Sequence, residues 1–140
     1  MNLPRETIDI LAAKAQEAFN FAYAPYSNYR VGAAVLWDSG RITSGSNVEN
    51  ASYGLTVCAE RCAISAGTGL GERNITALAI AVPSDEMPVP CGACRQVIRE
   101  FAYSCTIILV NGKGKVRLTT LEEIFPDSFG PEYLQGKGRK

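Results

Sequence analysis

Ile75-Thr76-Ala77-Leu78-Ala79-Ile80-Ala81-Val82 is apolar at every position but Thr76. A half-exposed strand would alternate apolar and polar residues; a continuous apolar run of this length is the pattern of a strand covered on both faces. Helical patterns flank it. Residues 58–68 read as a helix stopped by Gly67-Thr68-Gly69, and residues 91–103 as a second helix after a Pro-bounded loop at 83–90. A second buried strand follows at 106–110, and Asn111-Gly112-Lys113-Gly114 turns the chain into a strand at 116–118. Upstream, Ile8, Leu11, Ala12, Ala15 and Phe19 recur at helical spacing, which predicts an amphipathic helix over residues 4–23. Residues 31–36 and 41–45, joined through Asp38-Ser39-Gly40, read as a hairpin. Residues 47–56 have no period and read as a loop. Thr120-Leu121-Glu122-Glu123 is a capping box that opens a short last helix, ended by Pro126. The order α-β-β-α-β-α-β-β-α predicts an α/β sheet covered by helices, in one domain spanning residues 1–140.

The bulk properties narrow the function. Fourteen basic residues balance fourteen acidic ones, 46% of the chain is hydrophobic and 20% is charged. A net charge of zero argues against nucleic acid as a partner. No apolar run reaches the ~20 residues of a membrane span, and the N-terminal residues lack a signal-peptide pattern. A cytoplasmic location is expected, and there the five cysteines are thiols rather than disulfides. Lys137, Arg139 and Lys140 read as a solvated, frayed end.

Two motifs carry the chemistry. Cys58-Ala59-Glu60 and Pro90-Cys91-Gly92-Ala93-Cys94 together offer three soft thiolate ligands and one carboxylate. Three such ligands around Zn²⁺ leave one tetrahedral position open, which separates a catalytic zinc from a structural one. An open zinc site acidifies water, and Glu60 stands two residues from a ligand, where it can handle the proton. A Cys-x-Glu followed by Pro-Cys-x-x-Cys is the three-cysteine form of the zinc deaminase signature. Residues two apart in a regular helix point to nearly opposite sides, so Cys58 and Glu60 can share a site only if Cys58 lies at or before the first turn.

The spacing leaves alternatives open. Cys58 and Cys62 form C-x₃-C, which with Cys91 and Cys94 would complete a structural four-cysteine zinc. A thioredoxin-type Cys pair leaves Cys58 and Glu60 unexplained. Cys62 and Cys105 otherwise read as buried, inert thiols. Arg61 reads either as a solvated helix residue or as a partner that offsets thiolate charge.

With those residues in view, the chain resembles the small homotetrameric cytidine deaminases from about residue 11 to 134. The likeness is carried by Ala24-Pro25-Tyr26-Ser27, Val31-Gly32-Ala33-Ala34, Asn47-Val48-Glu49-Asn50-Ala51-Ser52-Tyr53, the two cysteine motifs with Arg61, Arg95 and Gln96, and Phe129-Gly130-Pro131-Glu132. The resemblance implies a three-layer α/β/α sandwich with a five-stranded mixed sheet. It implies one Zn²⁺ per chain on Cys58, Cys91 and Cys94, with Glu60 as proton shuttle and Arg61 beside the thiolates. It implies hydrolytic deamination of cytidine and 2′-deoxycytidine, in pyrimidine salvage. Asn47 and Glu49 would bind the ribose, and Ala59 the base through its backbone. Ala51, Tyr53 and Phe129 match positions that reach a neighbouring subunit's site, so the expected assembly is a homotetramer with composite sites. Tyr29 and Arg30 depart from the usual Phe and Pro, and Tyr29 brings a hydroxyl to a wall expected to be apolar. The alternatives are a related substrate, such as a blasticidin-type nucleoside, and a non-enzymatic structural zinc module.

Overall fold

The computed structural model describes residues 2–135. Five strands, β1 (Gly32–Trp37), β2 (Ile42–Ser46), β3 (Ile75–Ala81), β4 (Thr106–Val110) and β5 (Val116–Thr120), form one sheet in the order β2-β1-β3-β4-β5. The β3–β4 pair is parallel and the other pairs are antiparallel, so the sheet is mixed. Helix α1 (Arg5–Phe19) covers one face. Helices α2 (Ala59–Thr68) and α3 (Gly92–Phe101) cover the other. The three-layer α/β/α sandwich with a five-stranded mixed sheet is the expected one.

The apolar run of β3 divides its two faces by size. Leu78 and Ile80 enter the core under α2 and α3 with Val35, Ile64, Ile98 and Ile107. Ala77, Ala79 and Ala81 face α1 with Ala34. Small residues let α1 lie close on the sheet, and a Cβ at Gly32 would run into the backbone of Ala15. On the opposite face Trp37 is fully buried, and its indole N–H donates to Thr43 Oγ1 at 2.9 Å. Thr43 in turn donates to the carbonyl of Ala63 at 2.8 Å, while a Cβ at Gly67 would overlap the indole. These contacts seat α2 on the hairpin and set the direction of its N-terminus.

Several boundaries differ from expectation, for non-local reasons. Helix α1 stops at Phe19, not 23, because Tyr23 pairs with the 47–49 segment: its N–H donates to the Asn47 carbonyl and its carbonyl accepts from Glu49 N–H, both at 2.9 Å. Residues 47–57 are not a plain loop. Val48 bridges both Tyr23 and Val57, and Tyr53–Leu55 is a 3₁₀ turn. β5 runs two residues further, to Thr120, which then caps α4 (Leu121–Ile124) in the expected box. Tail residues Glu132–Gln135 form one more short helix, α5. The expected frayed end at 137–140 lies outside the described residues.

Cys105 is buried, as expected, and burial pushes its thiol up to about 12. The unfolded thiol loses its proton near ~8.5. The folded value is higher, so this stability is whole below the unfolded value and drains away as pH rises toward the folded one, by at most ~1.4 kcal/mol per pH unit. Denaturant unfolding on either side of the free-thiol value should show an alkaline loss that is smaller in Cys105→Ala. Equal losses in the two proteins would reject this account.

Candidate metal centre and cavity

Both cysteine motifs sit at helix starts. Cys58 is the residue before α2 and Cys91 the residue before α3, each with extended backbone (φ −71°, ψ 155° and φ −67°, ψ 168°). That satisfies the geometric condition read from the sequence, since Cys58 precedes the first turn and Glu60 lies within it. The Sγ atoms of Cys58, Cys91 and Cys94 all lie within 4.8 Å of one another, with Cys58 and Cys91 at 4.0 Å. Sulfurs at corners of a tetrahedron with ~2.3 Å Zn–S bonds are about 3.8 Å apart, so the three fit zinc. Among the described residues this group does not include Cys62. Cys62 is half-buried rather than fully buried, because it lies where α2 meets Gly45 of β2, toward the edge of the sheet.

The helix starts also set the charge balance. Free N–H groups in the first turn favour negative charge, and the N–H of Cys94 donates to Cys91 Sγ at 3.4 Å. Arg61 Nη2 donates to Cys58 Sγ at 3.4 Å, so this arginine partners a thiolate rather than solvent. The Cys58 thiol is pushed down to about 5, first by a hydrogen bond from Cys94 and then by Arg61. Cys94 moves the opposite way because it is the donor in that pair and is buried. Metal uptake displaces such protons.

Glu60 is 4% exposed and no described ion pair includes it. Burial pushes its carboxyl up to about 7, and the charge on Cys58 adds to the rise. A carboxyl in that range can both take and give a proton near neutrality.

A cavity of about 290 Å³ opens on this centre, near the small end of the ~300–1,000 Å³ range of small-molecule sites. Of the residues singled out in the sequence, Cys58, Ala59, Glu60 and Cys91 line its floor, and Tyr29, Asn47 and Glu49 its walls. Asn47 Oδ1 accepts from Val31 N–H at 2.9 Å, and its Nδ2 donates to the Tyr29 carbonyl at 2.8 Å. Glu49 accepts from the N–H groups of Tyr26 and Ser27 at 2.9 and 3.1 Å, and from the Ser27 hydroxyl. The hydrogen bond from Ser27 is the main reason its carboxyl lies below the usual range. Tyr29 is pushed up, by burial and then by the charges of Glu86 and Glu60, and stays a neutral phenol.

Other expected residues lie apart from this cavity. Tyr53 is exposed and borders an adjoining recess of about 250 Å³ with Tyr26, sharing Ser27, Glu49 and Thr56 with the main cavity. Ala51 is exposed and lines neither space. Phe129 is half-exposed and stacks on Tyr133, with ring centroids 5.1 Å apart. The cavity also uses Ser27, Val31, Thr56, Ile80, Pro88 and Val89, which sequence reasoning did not assign to it. Pro88 and Val89 precede the second cysteine motif directly, and that adjacency was the available signal.

An α/β/α domain with a three-thiol centre at two helix starts and a buried carboxylate beside it defines a zinc-site protein of the deaminase class. Residues 5–110 match the family model described as "Cytidine and deoxycytidylate deaminase zinc-binding region". A cytidine deaminase of Sporosarcina psychrophila is 41% identical over 128 residues, covering 91% of this chain and 94% of that protein. One from Mycobacterium tuberculosis is 39% identical over 137 residues, covering 98% and 100%. The crystal structure of cytidine deaminase from Burkholderia pseudomallei superposes with a TM-score of 0.83 at 40% identity, covering 91% of this chain and all of that one. The chain belongs to the cytidine and deoxycytidylate deaminase family, and zinc is its cofactor.

Proposed function

We propose that the protein, as a single domain over residues 1–140, hydrolyses cytidine and 2′-deoxycytidine to the uridine nucleosides and ammonia. The observation that carries this reading is the buried Glu60 carboxylate in the floor of a nucleoside-scale cavity that opens on three convergent thiols. Cys58, Cys91 and Cys94 would hold zinc, which when bound supplies Lewis-acid activation of water. Glu60 takes a proton from the attacking water and gives it to N3 of the pyrimidine as the oxygen adds to C4. It then passes the second proton to the amino nitrogen, which leaves C4 as ammonia. One carboxyl serves as base and acid because the roles fall at different steps. Arg61 limits the negative charge on the thiolates.

At the far wall Asn47 retains one N–H and one lone pair beyond its two backbone bonds, and Glu49 keeps part of its acceptor capacity. These suit ribose hydroxyls. Ala59, first residue of α2, has an N–H without an intrahelical partner for the base. The Tyr29 hydroxyl adds a polar group to the wall, so blasticidin-type nucleosides belong among the substrates compared. A nucleoside rather than nucleic acid fits a chain of zero net charge. No helix among the described residues is long and apolar enough to cross a membrane. Five cysteines free of disulfides suit a reducing compartment, which supports a cytoplasmic setting.

Phe129, Tyr133 and Leu134 are exposed apolar side chains on one short segment, and Phe129 lies outside its own chain's cavity. Their exposure supports association between copies of this chain, and we propose a homotetramer in which Ala51, Tyr53 and Phe129 complete a neighbour's site. The purified, zinc-loaded protein should convert cytidine to uridine, followed by ultraviolet absorbance, with one ammonia released per turnover. Light scattering should give the mass of four chains. Absence of turnover with any of these nucleosides would reject the activity, and an active monomer would reject the assembly.

A further inference from the structure

One face of α3 holds the C-terminal segment. Arg95 Nε donates to the Pro90 carbonyl at 2.8 Å, and its guanidinium also reaches the Ile124 carbonyl. Gln96 Nε2 donates to the carbonyl of Phe129 at 3.0 Å. One turn further, Arg99 Nε donates to Ser128 Oγ at 2.8 Å, and the guanidinium pairs with Glu132. The same guanidinium lies over the Tyr103 ring, 4.6 Å from its centroid. Arg99 is 5% exposed, and a charge buried that far is tolerated only when paired and hydrogen-bonded. A Cβ at Gly130 would overlap the guanidinium, so the chain wraps it at backbone contact.

Phe129 sits between these contacts. Ser128 before it, Gly130 after it and its own carbonyl are all fixed by α3, yet its ring is half-exposed and lies against the exposed Tyr133. The backbone is therefore held from inside while the side chain is turned outward. We infer that Arg99 is a positioning residue, a clamp that sets the ring of Phe129 for the substrate cavity of a neighbouring subunit. This inference rests on the composite-site reading above. It also gives α3 two duties: its start carries Cys91 and Cys94 for its own site, and its later turns carry the clamp for another.

The test uses the zinc-loaded, full-length protein with cytidine. Phe129→Ala should raise KM by roughly 5- to 150-fold, the range of a lost base–aromatic stack, with kcat little changed. Arg99→Met should reproduce that split, with Arg99→Lys intermediate; Glu132→Gln, which leaves the arginine in place, serves if Arg99→Met does not fold. Arg99→Met chains co-expressed with Glu60→Gln chains then decide whether the effect acts across subunits. In such hybrids every working site belongs to an Arg99→Met chain, and some of these sites face a tail with an intact clamp. A low-KM component should reappear. If the hybrids show only the high KM, or if the Arg99 and Glu132 variants keep the native KM while Phe129→Ala does not, the clamp is overturned and the composite site stands. An unchanged KM in Phe129→Ala overturns the composite site and the clamp with it.

Discussion

Glu60→Gln should lower turnover of cytidine by at least roughly 10²–10⁴-fold, the span of a lost general acid–base, while zinc content stays as in the unaltered protein. The amide keeps the shape and the position of the carboxyl but cannot move a proton between water, N3 and the leaving nitrogen. Substrate affinity should change little, because the contacts assigned to the ribose and base lie on Asn47, Glu49 and Ala59. Stability should hold or rise. Burial places the Glu60 carboxyl above its unfolded value, so the stability it contributes is present below the unfolded value and is lost as pH rises through about 7. A neutral amide escapes that loss. Thermal unfolding, metal analysis and absorbance kinetics on one preparation check the three statements. Near-normal turnover in the zinc-loaded variant would end the proposed mechanism.

Cys58→Ser, Cys91→Ser and Cys94→Ser should each remove zinc and activity together, whereas Cys62→Ser should leave both largely intact. The helix-start geometry makes this a clean comparison at two of the positions. Cys58 and Cys91 are the residues before α2 and α3, and serine is favoured at a helix start. The helices should therefore persist, and loss of metal can be read apart from loss of fold by circular dichroism. Cys94 is buried, so its serine variant also carries the cost of a buried hydroxyl. Cys62, half-buried against Gly45 and outside the thiol group, contributes neither ligand nor cap. Zinc loss in Cys62→Ser as complete as in the others would restore the four-cysteine structural site.

Features decided by local chemistry were legible in the chain. The strands at 75–81 and 106–110 announced themselves because covering both faces demands apolar residues throughout. Thr120 and Glu123 announced a helix start because a capping box is closed within four residues. The make-up of each cysteine motif and the place of Glu60 beside Cys58 are legible because metal spacing and helix angle are short-range constraints; that the two motifs meet across 33 positions is carried by their pairing in the deaminase signature. Features decided by distant partners were not. Nothing near Tyr23 says that it will leave α1 to pair with Val48. Asn47 and Glu49 were read as ligand groups, yet each also holds the 26–31 segment that forms the cavity wall, a partnership across some 20 residues. Arg99 carries no local signal of its role, since its partners Ser128 and Glu132 lie 29 and 33 positions further along the chain.

The same separation in sequence has a mechanical meaning at the centre. Cys58 and Cys91 are 33 positions apart, and the chain between them contains α2, the middle strand β3 and the entry to α3. An ion gripping both sulfurs would be a cross-link that closes a ring of which the sheet's central strand is a part. For a covalent link closing a ring of this length, the chain-entropy relation gives about 4 kcal/mol at room temperature. Removing the ion would therefore take more than the reaction away: it would reopen the ring and lower the stability of the folded chain.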